Sequence, residues 1–138
     1  MLHLGATCYM LGLIWFVQVV HYPLMDRVAP PAFPAFEAEH MRRTGLVVAP
    51  VMLLELGTAL LIVHLRLLPV SLALANLVLL GIIWASTFLV QAPAHRRMRA
   101  GFLGPTHRRL VRTNWLRTLL WTLRAVLLLW ALGGILLE

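Results

Sequence analysis

The chain has 138 residues, of which 61% are hydrophobic and only 12% charged, against roughly 25% charged in ordinary globular proteins. That balance excludes a water-soluble domain, and a single cysteine, Cys8, excludes an internal disulfide or a cysteine-built metal cage. The net charge of +7 comes from arginine alone, with no lysine; these arginines flank apolar segments, where they anchor helix ends and do not point to nucleic acid.

Four windows of about twenty apolar residues predict four membrane spans. The first covers 2–24 and is stopped by Pro23 and the Asp26-Arg27 pair. Its N-terminus lacks the basic region of a cleavable signal peptide, and Cys8 inside it reads as a small buried hydrophobe. A connection follows from Ala29 to Thr44, opened by Pro30, Pro31 and Pro34. Within it Phe36-Glu37-Ala38-Glu39-His40-Met41-Arg42-Arg43 predicts a short interfacial helix. The second span covers 46–67 and the third 70–92, joined tightly enough to form an antiparallel hairpin. Pro93 ends the third. An arginine-rich loop, Ala94 to Arg109, leads to the fourth span at 110–136. The expected fold is all-α: one integral membrane domain over 1–138, a four-helix bundle with an interfacial helix between spans one and two.

Nine arginines (Arg27, Arg42, Arg43, Arg96, Arg97, Arg99, Arg108, Arg109 and Arg112) lie in or beside the first and third connections, and only Arg66 lies beside the second. The positive-inside rule then puts both long loops in the cytoplasm and both termini outside it. The expected location is a bacterial inner membrane, with the lipid bilayer as the first partner.

Ionisable groups inside a membrane are expensive and mark function by default. Gln18 and His21 share a face at the inner end of the first span, and Glu37 and His40 repeat that spacing as a Glu-x-x-His pair. Glu55 lies nine residues beyond Leu46, roughly 14 Å deep at 1.5 Å per residue. His95 follows the third span. Asn114, Arg117, Trp121 and Arg124 fall in one stripe on the fourth.

These residues support several chemistries. His21, Glu37, His40, Glu55 and His95 are a candidate ligand set for a divalent transition metal, zinc or iron, although ferritin-like two-metal bundles use two Glu-x-x-His motifs and this chain has one. A metal-free alternative makes Glu55 and His21 acid–base residues acting on a lipophilic small molecule, with Asn114, Arg117 and Arg124 binding the ligand or cofactor. Haem between histidines such as His21 and His95 is a weaker fit, because His95 falls beyond Pro93. A proton-coupled transporter built on Glu55 is another, opposed by the arginines that would neutralise it. A non-catalytic membrane subunit, with these groups as interhelical hydrogen bonds, needs no ligand at all. The sequence leaves the oligomeric state open.

Several segments carry a resemblance. They are Trp15-Phe16-Val17-Gln18-Val19-Val20-His21-Tyr22-Pro23, Phe36-Glu37-Ala38-Glu39-His40 with Arg43-Thr44-Gly45, Pro50-Val51-Met52-Leu53-Leu54-Glu55, and Val111-Arg112-Thr113-Asn114-Trp115-Leu116-Arg117-Thr118. Together they resemble a widespread group of uncharacterised bacterial four-helix inner-membrane proteins. The resemblance spans most of the chain and implies a fold without an activity. A looser similarity, in size, helix count and proline-rich loop, runs to anthrone-oxygenase-like small membrane proteins acting on aromatic polyketides.

Overall fold

The computed structural model describes residues 1–136. Four helices follow one another: α1 (Leu2–Arg27), α2 (Pro30–His64), α3 (Val70–Met98) and α4 (Gly104–Leu136). Each is long and apolar enough to cross a membrane. They pack in a ring, with α1 against α2 and α4, and α3 against the same two. The described residues contain no strand, so the fold is an all-α four-helix bundle.

The bundle has an apolar exterior. Phe16, Leu53, Phe88, Leu89, Leu119 and Trp130 are all exposed, and Cys8, expected to be buried, faces outward among them. The interior carries the polar groups: Thr7, Gln18, Glu37, Glu55, Asn76, Asn114, Thr118 and Arg124 are all buried. Such a distribution suits a lipid surround, where apolar surface costs nothing outside and polar groups find partners only between helices.

The two long connections are shorter than the sequence suggests. The segment expected as a separate interfacial helix is the opening of α2, whose α-helical part runs unbroken over Phe33–His64. Pro34 sits where a missing N–H is harmless, and the helix runs on through Gly45 and Pro50 without stopping. Hydropathy falls across Glu37–Arg43 because those turns leave the apolar layer, which reports environment and not backbone conformation. The 32 residues of this helix extend roughly 48 Å, well beyond a hydrocarbon core of about 30 Å. At its other end the helix stops at His64, before the expected limit at 67. Arg66 turns the chain there with a left-handed φ of 51°.

Pro93 likewise does not end α3, which continues to Met98. A proline inside an α-helix clashes with the carbonyl four residues back and removes a hydrogen bond. Here a five-residue π-helical turn, Thr87–Gln91, precedes Pro93 and widens the backbone ahead of it. The same device precedes Pro23 in α1, at Val17–His21. The two π turns begin 70 residues apart (87 − 17) and stand equally far from their prolines. Each half of the chain is thus a π-bulged helix followed by a long helix without a π turn, the first of which holds Pro50 in its interior. Between α3 and α4 the chain turns at Gly101, whose φ of 151° a side chain would strain.

Toward the Arg66 end of the bundle one network draws on all four helices. Arg124 of α4 donates to Glu55 Oε1 of α2 at 2.6 Å and to Asn76 Oδ1 of α3 at 3.0 Å. Thr7 of α1 and Trp121 of α4 also donate to the Glu55 carboxylate, at 3.0 and 3.1 Å. His3 of α1 closes the ring: its Nε2 lies 3.0 Å from Asn76 Nδ2 and its Nδ1 2.7 Å from Thr58 Oγ1. Since Asn76 and Arg124 can only donate there, His3 is neutral and carries its proton on Nδ1. Glu55 and Arg124 are both 0% exposed. Removing one partner of a buried pair strands the other, at about 3–5 kcal/mol, whereas removing both is far milder. Glu55→Ala should therefore lower the thermal midpoint in detergent sharply, and Glu55→Ala with Arg124→Leu should restore most of the loss. A double variant no more stable than the single one would show that the pair does not clamp the bundle.

Candidate functional site

Toward the arginine-rich end of the bundle, the π turns bring a second set of polar groups together. An apolar layer of Tyr22, Met25, Phe33, Ala94, Met98 and Leu110 closes that end and buries the Glu37 side chain completely. Glu37 Oε1 stands 2.6 Å from His95 Nδ1, and His95 Nε2 stands 3.0 Å from the Tyr22 hydroxyl. With the carboxylate ionised, His95 donates to Glu37 through Nδ1–H and accepts the phenol proton at Nε2. Carboxylate, imidazole and hydroxyl form one line across α2, α3 and α1. His107 of α4 reaches the Tyr22 carbonyl oxygen at 2.7 Å and holds the backbone beside Pro23.

A second imidazole pair flanks this line. His21 Nε2 lies 2.9 Å from His40 Nδ1, which also meets the Thr44 hydroxyl at 3.1 Å. The His40 ring is stacked on His21, its centroid 4.4 Å away, and stands 5.1 Å from that of His95. Glu37 and His40, paired by spacing in the sequence, turn to different partners.

Both sets border a cavity of about 240 Å³. Its polar lining comes from Tyr22, His40, Thr44, Gln91, His95 and Arg117, and its apolar walls include Met10, Ile14, Val48, Met52 and Phe88. Arg117 is buried. Its Nη1 donates to Asn114 Oδ1 at 3.1 Å, and Asn114 in turn donates to Gln18 Oε1 at 2.8 Å. Gln18 is anchored on the Val111 carbonyl at 3.2 Å. The guanidinium also sits 5.3 Å over the Trp121 ring, a cation–π distance. Asn114 and Gln18 thus position Arg117.

The expected residues therefore divide. His40 and His95 line the cavity with Arg117; His21 and Glu37 stand behind them as their partners, and Asn114 supports Arg117. Glu55 and Arg124 belong to the other network and do not line the cavity, so Glu55 has no access to a ligand there. The metal set is divided in the same way. Among the described residues no three of His, Cys, Asp or Glu form a group that could hold a metal ion; Glu37 bonds His95, His95 bonds Tyr22, and His21 meets His40.

Sequence reasoning missed three residues. Tyr22 completes the relay, His107 fixes the turn and His3 joins Glu55. A helical signal existed for His3, which lies four residues before Thr7 on one face. Tyr22 gave none, because the π turn displaces its face from the α-helical register. Glu39, in contrast, meets only Arg42 and Arg43 at the surface, as a solvated helix pair would.

No family model matches this chain, nor does any curated protein or solved structure.

The relay predicts a spectroscopic signature. In protein labelled with 15N-histidine, the His95 Nδ1–H should resonate far downfield, and Glu37→Gln should shift it strongly while Glu39→Gln leaves it in place. A histidine spectrum unchanged by Glu37→Gln would mean that the two groups are not bonded.

Proposed function

We propose that this chain is a multi-pass inner-membrane acid–base site, enzymatic in character, that acts on a lipophilic small molecule. One observation carries the reading: the Glu37–His95–Tyr22 line ends on the same cavity that Arg117 enters. A carboxylate that orients an imidazole, which in turn holds a hydroxyl, is the arrangement by which proteins move a proton at a chosen atom. The Tyr22 phenol is the group that faces the ligand. It takes a proton from the acidic carbon of the substrate as its own proton passes to His95 Nε2. The imidazolium so formed is balanced by the Glu37 carboxylate, and the reverse sequence returns the proton.

Arg117 supplies the second requirement, a fixed cation for the negative charge that develops on an oxygen during proton transfer. The His21–His40 pair leads from the half-buried surface toward His95 and suits the return of the proton to water. The reaction class that fits is proton transfer next to a carbonyl or on a phenol, as in keto–enol interconversion. It needs no metal.

Orientation follows from the arginines. The end carrying the site faces the cytoplasm, and the Arg66 turn lies on the opposite side.

Two experiments test this reading. In proteoliposomes, deuterium exchange at the acidic carbon of a panel of apolar cyclic ketones should be accelerated by the protein. Tyr22→Phe should lower that rate by about 10²–10⁴-fold, and Glu39→Gln should leave it unchanged. Exchange insensitive to Tyr22→Phe across the panel would remove the phenol from any chemical role. Separately, in a Cys8→Ser background, a cysteine at position 99 should be labelled only from the cytoplasmic side and one at position 67 only from outside. The reverse pattern would invert the topology.

A further inference from the structure

Three polar atoms around the cavity have no partner among the described residues: Arg117 Nε, Trp84 Nε1 and Gln91 Oε1. All three residues line the same space. A buried polar atom left unbonded costs free energy, so a native structure that strands several in one place invites a ligand to complete them. The Gln91 amide orientation follows from its neighbour. Thr113 donates its own proton to the Arg109 carbonyl at 2.8 Å, so Gln91 Nε2 must be the atom donating to Thr113 Oγ1 at 3.1 Å. Oε1 is then the free acceptor.

Charge narrows the ligand. The bundle buries two arginines, Arg117 and Arg124. Arg124 has its carboxylate, Glu55. Arg117 has no carboxylate partner among the described residues; its neighbours are the Asn114 carbonyl oxygen, the Trp121 face and the neutral Tyr22 phenol. An uncompensated buried cation is costly, and a guanidinium meets a carboxylate with matching geometry. The Nε–H left free on Arg117 is one of the donors such a contact uses.

Size and access narrow it further. A dry cavity of about 150 Å³ accommodates benzene, so about 240 Å³ suits a body of one or two fused rings. The exposed members of the lining, Gly45, Ala49 and Phe88, belong to α2 and α3. They lie on the apolar outer surface, so the cavity opens sideways into lipid.

We infer that the cavity binds a compact, mainly aromatic or alicyclic carboxylate that enters from the bilayer between α2 and α3, with Arg117 as its counter-ion. This deepens the reading of the site as one for lipophilic molecules and is independent of whether Tyr22 performs chemistry. Trp84 Nε1–H is a further donor for the acid's oxygens, and Gln91 Oε1 accepts from a hydroxyl on the ligand's body. Gly45 is the gatepost: a Cβ there meets nothing within 4 Å, so a larger side chain occupies the mouth without disturbing the helix.

The test is equilibrium binding of 2-naphthoate and its neutral counterpart 2-naphthamide to the full chain in phosphatidylcholine nanodiscs, by calorimetry against empty discs. The acid should bind about tenfold or more tightly than the amide, the scale of a charge-assisted hydrogen bond. Arg117→Gln should abolish that preference, and Arg117→Lys should retain part of it. Gly45→Phe should weaken both ligands while the circular dichroism of the bundle is preserved. Whatever Tyr22→Phe does to overall affinity, the acid-over-amide preference set by Arg117 should persist in it while proton exchange is lost, which separates failure of this inference from failure of the catalytic reading. Equal affinity for acid and amide, or a preference that survives Arg117→Gln, would overturn the assignment. So would naphthoate binding seen only in phosphate-free detergent micelles and lost in the phosphatidylcholine discs, because the anion held by Arg117 would then be a lipid phosphate.

Discussion

The Glu55–Arg124 pair is the constraint around which the bundle is built. Two full charges lie without solvent between helices whose outer faces are apolar, and such charges are tolerated only when every valence is met. Thr7, Trp121, Asn76 and His3 meet them, and in doing so they tie α1, α3 and α4 to α2 at one level. In lipid no hydrophobic force selects helix register, because the tails outside are as apolar as leucine. A saturated polar network selects it instead, since sliding any helix by one turn would break several bonds at once.

That register decides what the other end of the bundle can be. With the helices pinned toward the Arg66 end, the π turns at Val17–His21 and Thr87–Gln91 redirect the residues that follow. Tyr22 and His95 emerge on facing surfaces and meet at 3.0 Å. π bulges recur at functional sites because an extra residue in a turn re-aims side chains without ending the helix. Here they also let Pro23 and Pro93 sit within continuous helices. The contrast between the two buried arginines completes the division: one is satisfied and structural, the other positioned by Asn114 and left open toward a cavity.

Much of the fold was legible in the sequence. Apolar length gave four helices, and the tight Arg66 connection gave their antiparallel hairpin. Boundaries failed where composition and conformation part company. The charged turns around Glu37 and His40 left the apolar layer without leaving the helix, and proline stopped neither α1 at Pro23 nor α3 at Pro93. Of the candidate site, the titratable residues were visible as a group because lipid makes them rare. Their grouping was not. Glu55 seemed to belong with His21 and Glu37 because all are ionisable, and only packing assigns it to His3 and Arg124.

What the sequence by itself determined is therefore the helical class, the number of spans, and the short list of residues that a membrane protein would not keep idly. Those follow from one-dimensional quantities: apolar length, charge placement and the expense of burying an ion. The tertiary structure alone decided who pairs with whom. Glu37 pairs with His95 across 58 residues and Glu55 with Arg124 across 69, and no local period encodes such distances. They arise because four helices of fixed pitch, two of them locally unwound by a π turn, can satisfy all of their buried polar atoms except a few. Three of those few, on Trp84, Gln91 and Arg117, surround the cavity, and the fourth is Oε2 of Glu37.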